Sequence, residues 1–215
     1  MHFVLATSNP GKLREFQDLL APLAVRLSPQ SSFMMQTPAE TGLSFVENAI
    51  LKARFAAQCS DLPAIADDSG LEVDALHGAP GIYSARYAGE GASDADNLQK
   101  LIDALREVPD EYRTARYRCA LVLMRWHTDP APIVCQASWE GRILAQPRGL
   151  GGFGYDPVFE LHERKVTAAE LAPAEKNRLS HRGQALRQLI AELERGVHLQ
   201  TRGVLPRRSE RDHTL

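Results

Sequence analysis

The sequence predicts an α/β protein with a mixed β-sheet in one large domain. Strand-like and helix-like segments alternate through the first half of the chain, which is typical of parallel strands connected by helices. Two later strand-like segments, Tyr112–Met124 and Ile133–Ile143, flank the polar turn His127–Ala131 and therefore predict an antiparallel hairpin. The length of 215 residues is sufficient for such a domain.

The first half of the chain contains the signals of three strands and three helices. Short apolar runs predict strands at Phe3–Ala6, near Ala24–Leu27 and at Pro63–Ala66. Asn9 and Pro10 predict the start of a helix that runs to about Leu20, because Asn is a favoured N-cap and Pro at the first helical position costs no hydrogen bond. Ser44–Glu47 has the form of a capping box, and Ser93 predicts the start of a third helix.

The second half adds one strand, one helix and a tail. Pro157–Leu161 predicts a strand, and the apolar stripe of His181–Arg195 predicts a helix that ends at Gly196. Residues 1–197 are therefore expected to form the domain. Residues 198–215 combine arginines with Gly, Pro and polar residues without periodicity, so we expect a disordered basic tail.

Composition and charge exclude several classes of protein. Lys and Arg total 25 against 27 Asp and Glu, a net charge of -2, which excludes a surface that is basic throughout and suited to nucleic acid. The longest apolar run, Cys119–Met124, is far shorter than the ~20 residues of a membrane span. Three cysteines without Cys-x-x-Cys spacing, and an N-terminus without a secretory pattern, indicate a cytoplasmic protein with reduced thiols.

Two predicted helix N-termini carry basic side chains, where acidic ones are usual. A helix N-terminus is electropositive and normally attracts Asp or Glu. Here Lys12 follows the first helix start, and Lys176, Arg178, His181 and Arg182 surround the last one. Free N–H groups together with cations predict phosphate binding, although no Walker A loop is present. The alternative is that Lys12 pairs with Glu15 and the later basic cluster is a solvated surface.

Carboxylates after the third predicted strand suggest a metal site. Asp67 and Asp68 repel each other and face opposite sides of an extended chain, so they cannot do the same job. Mg²⁺ would relieve the repulsion, with Glu40 as a further carboxylate and Lys52 able to reach the same charge. The alternatives are that Asp67–Gly70 is a simple turn and that Lys52 is an exposed solubilising residue.

The segment Gly149–Asp156 suggests a site for a flat ligand. Its four glycines allow close approach of the backbone, and Phe153 and Tyr155 offer rings for stacking on a purine or pyrimidine. A glycine-rich hairpin loop would explain the same residues.

Six motifs in order resemble the inosine triphosphate pyrophosphatases, which remove deaminated purine nucleotides. They are Thr7–Lys12, Glu40–Asn48, Ala66–Gly70, Gly78–Tyr87, Gly151–Asp156 and the segment that begins at Ser180, within a resemblance that covers residues 3–195. The resemblance implies Mg²⁺-dependent hydrolysis of dITP, ITP or XTP to the monophosphate and pyrophosphate. It also implies an elongated mixed sheet flanked by helices, two lobes with a central cleft, and a homodimer.

The resemblance also implies roles for individual residues. Asp68 would be the catalytic base and a metal ligand, supported at the metal by Glu40 and Asp67. Substrate would be bound by Thr7, Ser8, Asn9, Pro10, Gly11, Lys12, Lys52, Ser69, Phe153, Gly154, Tyr155, Asp156, Lys176, His181 and Arg182. We expect water oriented by Asp68 or by the metal to attack the α-phosphorus, while cations meet the charge of the leaving pyrophosphate.

Three other functions compete with this one. A related pyrophosphatase would act on modified pyrimidine or methylated nucleotides, and a nucleotide sensor without turnover would have no use for Asp68. A nucleic-acid binder would act through the arginines of the tail and would lose affinity steeply with salt. A membrane partner and a stable nucleic-acid complex are not expected.

Overall fold

One mixed sheet organises the protein. The structure, a computed structural model, describes residues 1–21, 25–33 and 38–195. The strands described there are β1 (His2–Leu5), β2 (Arg26–Pro29), β3 (Ala64–Val73), β4 (Thr114–Met124), β5 (Ile133–Ile143) and β6 (Phe159–Leu161). Their order is β2-β1-β3-β4-β5-β6, with β1 parallel to β2 and β3 and antiparallel pairing from β3 to β6. The predicted α/β class and mixed sheet are confirmed.

The helices begin where local capping predicts. They are α1 (Pro10–Leu20), α2 (Phe45–Ser60), α3 (Asp94–Ala104), α4 (Pro173–Leu179) and α5 (His181–Glu194). The side chains of Asn9, Ser44 and Ser93 accept hydrogen bonds from the first turns of α1, α2 and α3. Ser180 caps α5 in the same way. The short helix α4 was not predicted, and no side chain caps its start.

The predicted end of the third strand is wrong. Residues Asp67–Gly70 do not form a turn, because β3 continues through them to Val73. Its pairing with β4 is unbroken from Ala64 opposite Met124 to Val73 opposite Ala115. A continuous ladder with a long partner outweighs the local turn preference of Asp, Ser and Gly. The weaker second and last strands begin slightly later than predicted, and Ala24 lies outside the described residues.

The connections place α1 and α2 on opposite faces of the sheet. Phe16 and Leu20 of α1 pack in one apolar cluster with Leu121, together with residues of α5. Ala49 and Ala53 of α2 pack in a second cluster on the other face. The strand order reverses at β1, which has β2 on one side and β3 on the other. Crevices at such a switch point, beyond the carboxyl ends of the strands, are where α/β sheets bind ligands.

The far end of the long hairpin has its own core. Leu71, Tyr117, Trp139 and Phe159 pack there with Leu101 of α3. This cluster is separate from the two that flank β1, which supports the predicted division into two lobes; that division stays a prediction. The predicted tail at 198–215, and Gly196, lie outside the described residues.

Two further properties bear on the class of protein. Within the described part of the chain, no helix is both long enough and apolar enough to cross a bilayer. Cys59, Cys119 and Cys135 are free thiols.

The corner between α4 and α5 requires a glycine. A Cβ atom on Gly183 would lie 1.7 Å from the carbonyl oxygen of Asn177, so α4 would have to move. We expect Gly183→Ala to lower the free energy of unfolding by ~1–3 kcal/mol through overpacking, measured by urea denaturation. Arg187→Ala, at an exposed position of the same helix, is the control and should change it by less than ~0.5 kcal/mol. Equal stability of Gly183→Ala and the wild type would contradict the close contact.

Candidate functional site

A cleft opens where β1 ends and β3 continues. It encloses about 870 Å³, including space open to solvent. Thirteen of the predicted site residues line it, namely Asn9, Lys12, Glu40, Lys52, Asp68, Ser69, Phe153, Gly154, Tyr155, Asp156, Lys176, His181 and Arg182. Asp67 lies buried behind the cleft wall, and Thr7, Ser8, Pro10 and Gly11 form the adjoining turn and helix start.

The starts of α1 and α5 converge on Asp67. The Nζ atom of Lys12 lies 2.9 Å from its Oδ2 atom, and the Nε atom of Arg182 lies 3.2 Å from the same oxygen. Burial would raise the pKa of Asp67, but the charges of Lys12, Arg182 and Lys52 outweigh it and hold that pKa well below its usual range. The ionised carboxylate therefore ties two helix starts together. The alternative pairing of Lys12 with Glu15 is not what the structure shows.

The N–H groups of these helix starts are less free than the sequence suggests. The Oδ1 atom of Asn9 accepts hydrogen bonds from the N–H groups of Gly11 and Lys12, at 2.8 and 3.1 Å. Ser180 accepts one from Gly183 in α5. The expectation of two open rows of donors is therefore wrong in part, because local capping already satisfies these groups. Lys12 and Arg182 nevertheless line the cleft.

The basic cluster around α5 has two origins. Lys176 and Arg178 belong to the last turn of α4, where cations are favourable. His181 is not a cation at neutral pH, because burial and the nearby charges of Arg182 and Lys176 lower its pKa well below 6.5. Arg182 therefore provides the positive charge at the start of α5. Arg178 is exposed, whereas Lys176, His181 and Arg182 are buried, which contradicts a wholly solvated cluster.

Asp68 faces the opposite side of β3 from Asp67. Its Oδ1 atom lies 2.6 Å from the Nζ atom of Lys52, which also lies 2.9 Å from Glu40. Burial raises the pKa of Asp68, Lys52 partly opposes this, and Glu40 adds to it. Lys52 is buried, so the alternative of an exposed solubilising lysine is wrong. Arg86, which was not predicted to belong to the site, also contacts Glu40: its Nη1 atom lies 3.1 Å from the Oε2 atom.

The carboxylates on this face suit a divalent cation. Within the described residues, no group of three acidic, His or Cys side chains is placed to hold a metal alone. Glu40 and Asp68 nevertheless meet at one ammonium group, and Mg²⁺ is commonly held by one or two carboxylates together with substrate phosphates. This pair therefore fits the ion. The Oδ2 atom of Asp67 is occupied by cations and Ser69, and its buried Oδ1 has no hydrogen-bond partner among the described residues.

The other end of the cleft is organised by Asp156. Its Oδ2 atom accepts hydrogen bonds from Lys176 at 2.6 Å and from the N–H of Phe153 at 2.9 Å, and its Oδ1 accepts one from the Tyr117 hydroxyl at 3.2 Å. The Phe153 ring lies over Lys176, with 4.6 Å between Nζ and the ring centroid. His181 stacks on Tyr117 at 4.8 Å. Aromatic rings and buried polar side chains therefore line this end of the cleft.

The predicted glycine-rich segment is a loop between two strands and also borders the cleft. It connects the antiparallel strands β5 and β6, and its residues Phe153–Asp156 also line the cleft. Tyr155 is held by a hydrogen bond from its hydroxyl to the carbonyl oxygen of Ser84. A Cβ atom on Gly11 would lie 3.0 Å from the Phe153 ring, so α1 and this loop approach closely.

Sequence reasoning missed several residues of the site. Glu15 of α1 forms ion pairs with Lys176 of α4 and Arg182 of α5, so it joins these three helices. Tyr117 and Asp94 line the cleft from β4 and α3. Of these residues, only Glu15 could have been found from the sequence. It follows Lys12 by three residues, and residues three apart share a helix face.

The buried neutral His181 should make stability depend on pH. Because the folded state cannot readily protonate it, the unfolded chain gains a proton below pH 6.5 that the folded protein does not. We expect the free energy of unfolding to fall with decreasing pH below this value by up to ~1.4 kcal/mol per unit. Denaturation between pH 7.5 and 5 measures it. His181→Gln should lose this slope, whereas His162→Gln, at an exposed position, should keep it; a slope unchanged in His181→Gln would disprove the assignment.

Comparison with known proteins shows which family this chain belongs to. The Ham1 family model matches residues 3–192. A dITP/XTP pyrophosphatase of Vibrio cholerae is 59% identical over 191 residues, which cover 89% of this chain and 96% of the relative. A dITP/XTP pyrophosphatase of Thioalkalivibrio sulfidiphilus is 58% identical, covering 90% of this chain and 99% of the relative.

A solved structure extends the likeness to the fold. The structure of a HAM1 protein from Coxiella burnetii superposes with a TM-score of 0.85 at 50% identity, covering 91% of this chain and 99% of that one. The fold and the sequence matches point the same way. The chain belongs to the Ham1 family.

Proposed function

We propose that this protein hydrolyses deaminated purine nucleoside triphosphates, namely dITP, ITP and XTP, to the monophosphate and pyrophosphate. It would thereby cleanse the nucleotide pool. The observation that carries the proposal is the cleft. Lys12 pairs with Asp67 on one face of β3, Lys52 pairs with Asp68 on the other, and an aromatic loop borders the other end. The names of the similar proteins from Vibrio and Thioalkalivibrio support the same activity.

The triphosphate would occupy the end of the cleft near α1. The turn Thr7–Lys12 and Ser69 supply polar groups there, and Lys12 and Lys52 supply charge. Lys52 stays protonated, because the nearby carboxylates raise its pKa against the opposing effect of burial. Catalysis of phosphoryl and nucleotidyl transfer depends mainly on positioning and electrostatic stabilisation, so these cations would stabilise the charge that builds on the leaving pyrophosphate.

Asp68 and Glu40 would hold Mg²⁺ together with phosphate oxygens. When bound, the ion supplies Lewis-acid stabilisation of phosphate charge. The predicted part of Asp67 in holding the metal stays a prediction; its contacts support a role in orienting Lys12 and Arg182. Asp68 would orient a water molecule in line with the α-phosphorus and accept its proton, while the bond to the pyrophosphate oxygen breaks. Its raised pKa makes it a stronger base than an ordinary aspartate.

Replacing Asp68 tests the proposed base. We expect Asp68→Asn to fold normally, because the amide is isosteric, and to lower kcat for dITP by ~10²–10⁴-fold. A pyrophosphate-release assay with Mg²⁺ and a panel of triphosphates measures it. Asp103→Asn, on an exposed face of α3, is the matched control and should retain full activity. Near-normal turnover of Asp68→Asn would remove this residue as the base.

The nucleoside would lie against Phe153–Asp156, Lys176, His181 and Arg182. Lys176 and Arg182 can only donate hydrogen bonds, which suits the acceptor oxygen at position 6 of inosine and xanthine and opposes the amino group of adenine. A buried donor left without a partner discriminates strongly between such bases. Guanine shares the oxygen, so its 2-amino group would have to be excluded by another contact.

Replacing the guanidinium of Arg182 tests base selection. We expect Arg182→Lys to reduce the ratio of kcat/KM for dITP over dATP by ~10-fold or more, because lysine keeps the charge beside Glu15 and Asp67 but lacks the planar array of donors. Kinetics with dITP, dGTP and dATP measure the ratios. Arg187→Lys on the exposed face of α5 should leave them unchanged, and so should Arg182→Lys if the residue has no part in selection.

Assembly and location belong to the same proposal. The resemblance to the inosine triphosphate pyrophosphatases supports a homodimer, which light scattering on the purified protein tests. The free thiols support a cytoplasmic location. A substrate panel that includes modified pyrimidine and methylated nucleotides separates the related pyrophosphatase activities, whereas the position of Asp68 in the cleft argues against a sensor without turnover.

A further inference from the structure

A hydrogen bond crosses the cleft from α3 to the aromatic loop. The Oδ2 atom of Asp94, in the first turn of α3, accepts a hydrogen bond from the N–H of Gly154 at 2.8 Å. Both residues line the cleft. None of the roles described so far uses Asp94, although it contacts the segment that carries Phe153.

The helix that carries Asp94 is firmly attached. Ser93 and Asp96 form a capping box at its start. One turn later, the side chain of Asn97 donates a hydrogen bond to the carbonyl of Ala85 at 3.2 Å and accepts one from the N–H of Ala88 at 2.7 Å. These contacts fix α3 to the neighbouring segment of the cleft wall. Asp94 therefore reaches the loop from a rigid element.

The loop itself depends on such contacts for its shape. Gly152 and Gly154 adopt φ angles of 74° and 61°, which lie in the left-handed region. Within the loop, Asp156 accepts the N–H of Phe153. Asp94 accepts a hydrogen bond from the next N–H along the chain, that of Gly154. The peptide groups on the two sides of the Phe153 Cα atom are therefore each held by a carboxylate.

The position of Phe153 decides how much space lies above the buried cations. Its ring centroid is 4.6 Å from the Nζ atom of Lys176 and 5.9 Å from the Cζ atom of Arg182. The ring also lies against Gly11 at the start of α1. A shift of this ring would change the surface available for stacking a base beside these donors.

We propose that Asp94 is a positioning residue that holds Phe153 in place for the nucleobase through the N–H of Gly154. This inference rests on the proposed function, because it assigns Phe153 to the base. Asp94 acts through the loop and not on the phosphates, so its loss affects substrate binding more than the chemical step.

The variants must distinguish the effect of the acceptor oxygen of Asp94 from the effect of its negative charge. A carboxylate in the first turn of α3 also interacts favourably with the helix dipole. Asp94→Asn loses the charge and keeps an oxygen that can accept from Gly154, whereas Asp94→Ala loses both. Asp103→Ala, in the last turn of the same helix and exposed, is the control for removing a carboxylate from α3.

Steady-state kinetics with dITP and Mg²⁺ test the proposal. We expect Asp94→Ala to raise KM about tenfold, the effect of one lost hydrogen bond near the upper end of its usual range, with kcat within about threefold of the wild type. Asp94→Asn and Asp103→Ala should remain within about threefold in both constants. Because Asp94 is exposed, its removal should leave the fold intact, which circular dichroism checks. Asp94→Ser, which favours a helix start but is too short to reach Gly154, provides a second variant.

A double-mutant cycle identifies the group through which Asp94 acts. In a Phe153→Ala background, Asp94→Ala should raise KM no further, since the ring it positions is absent. Three results would each overturn the proposal while leaving the pyrophosphatase activity standing. They are full additivity of the two substitutions, an unchanged KM in Asp94→Ala, and a rise in KM in Asp94→Asn equal to that in Asp94→Ala. A wild-type protein that does not hydrolyse dITP would overturn the proposed function and the role of Asp94 with it.

Discussion

The site depends on one buried ion pair network centred on Asp67. This carboxylate binds Lys12 of α1 and Arg182 of α5, and Glu15 extends the network from Arg182 to Lys176. Without it, the buried Arg182 and the partly buried Lys12 would repel each other, and the charge of Arg182 would be less well compensated. The network therefore connects the starts of α1 and α5 to β3 and to Lys176 of α4.

Strand geometry then separates two adjacent carboxylates into different roles. Successive residues of β3 face opposite sides of the sheet, so Asp67 points to α1 and α5 while Asp68 points to Lys52 of α2. Their pKa values move in opposite directions, because cations outweigh burial at Asp67 and burial prevails at Asp68. One carboxylate stays charged and structural, and the neighbouring one is the proposed base.

Local signals accounted for most of the elements and for most of the lining of the cleft. The caps at Asn9, Ser44 and Ser93 and the long hairpin were predictable, because each depends on residues a few positions apart. The continuation of β3 through Asp67–Gly70 was not, because it depends on pairing with β4, about fifty residues further along the chain. The capping of α1 by Asn9 was predicted, but not its consequence that two backbone donors are already satisfied.

By itself the sequence determined which chemical groups this protein has and where its helices and strands begin, since these follow from residue type and short spacing. Only the tertiary structure decided what charge those groups carry and which of them meet. His181 was counted among the basic residues until its burial against Tyr117 showed it to be neutral. Glu15 gained a role only when α5 placed Arg182 beside it. Burial and long-range proximity set the energies of charges, and neither is written in any short stretch of the chain.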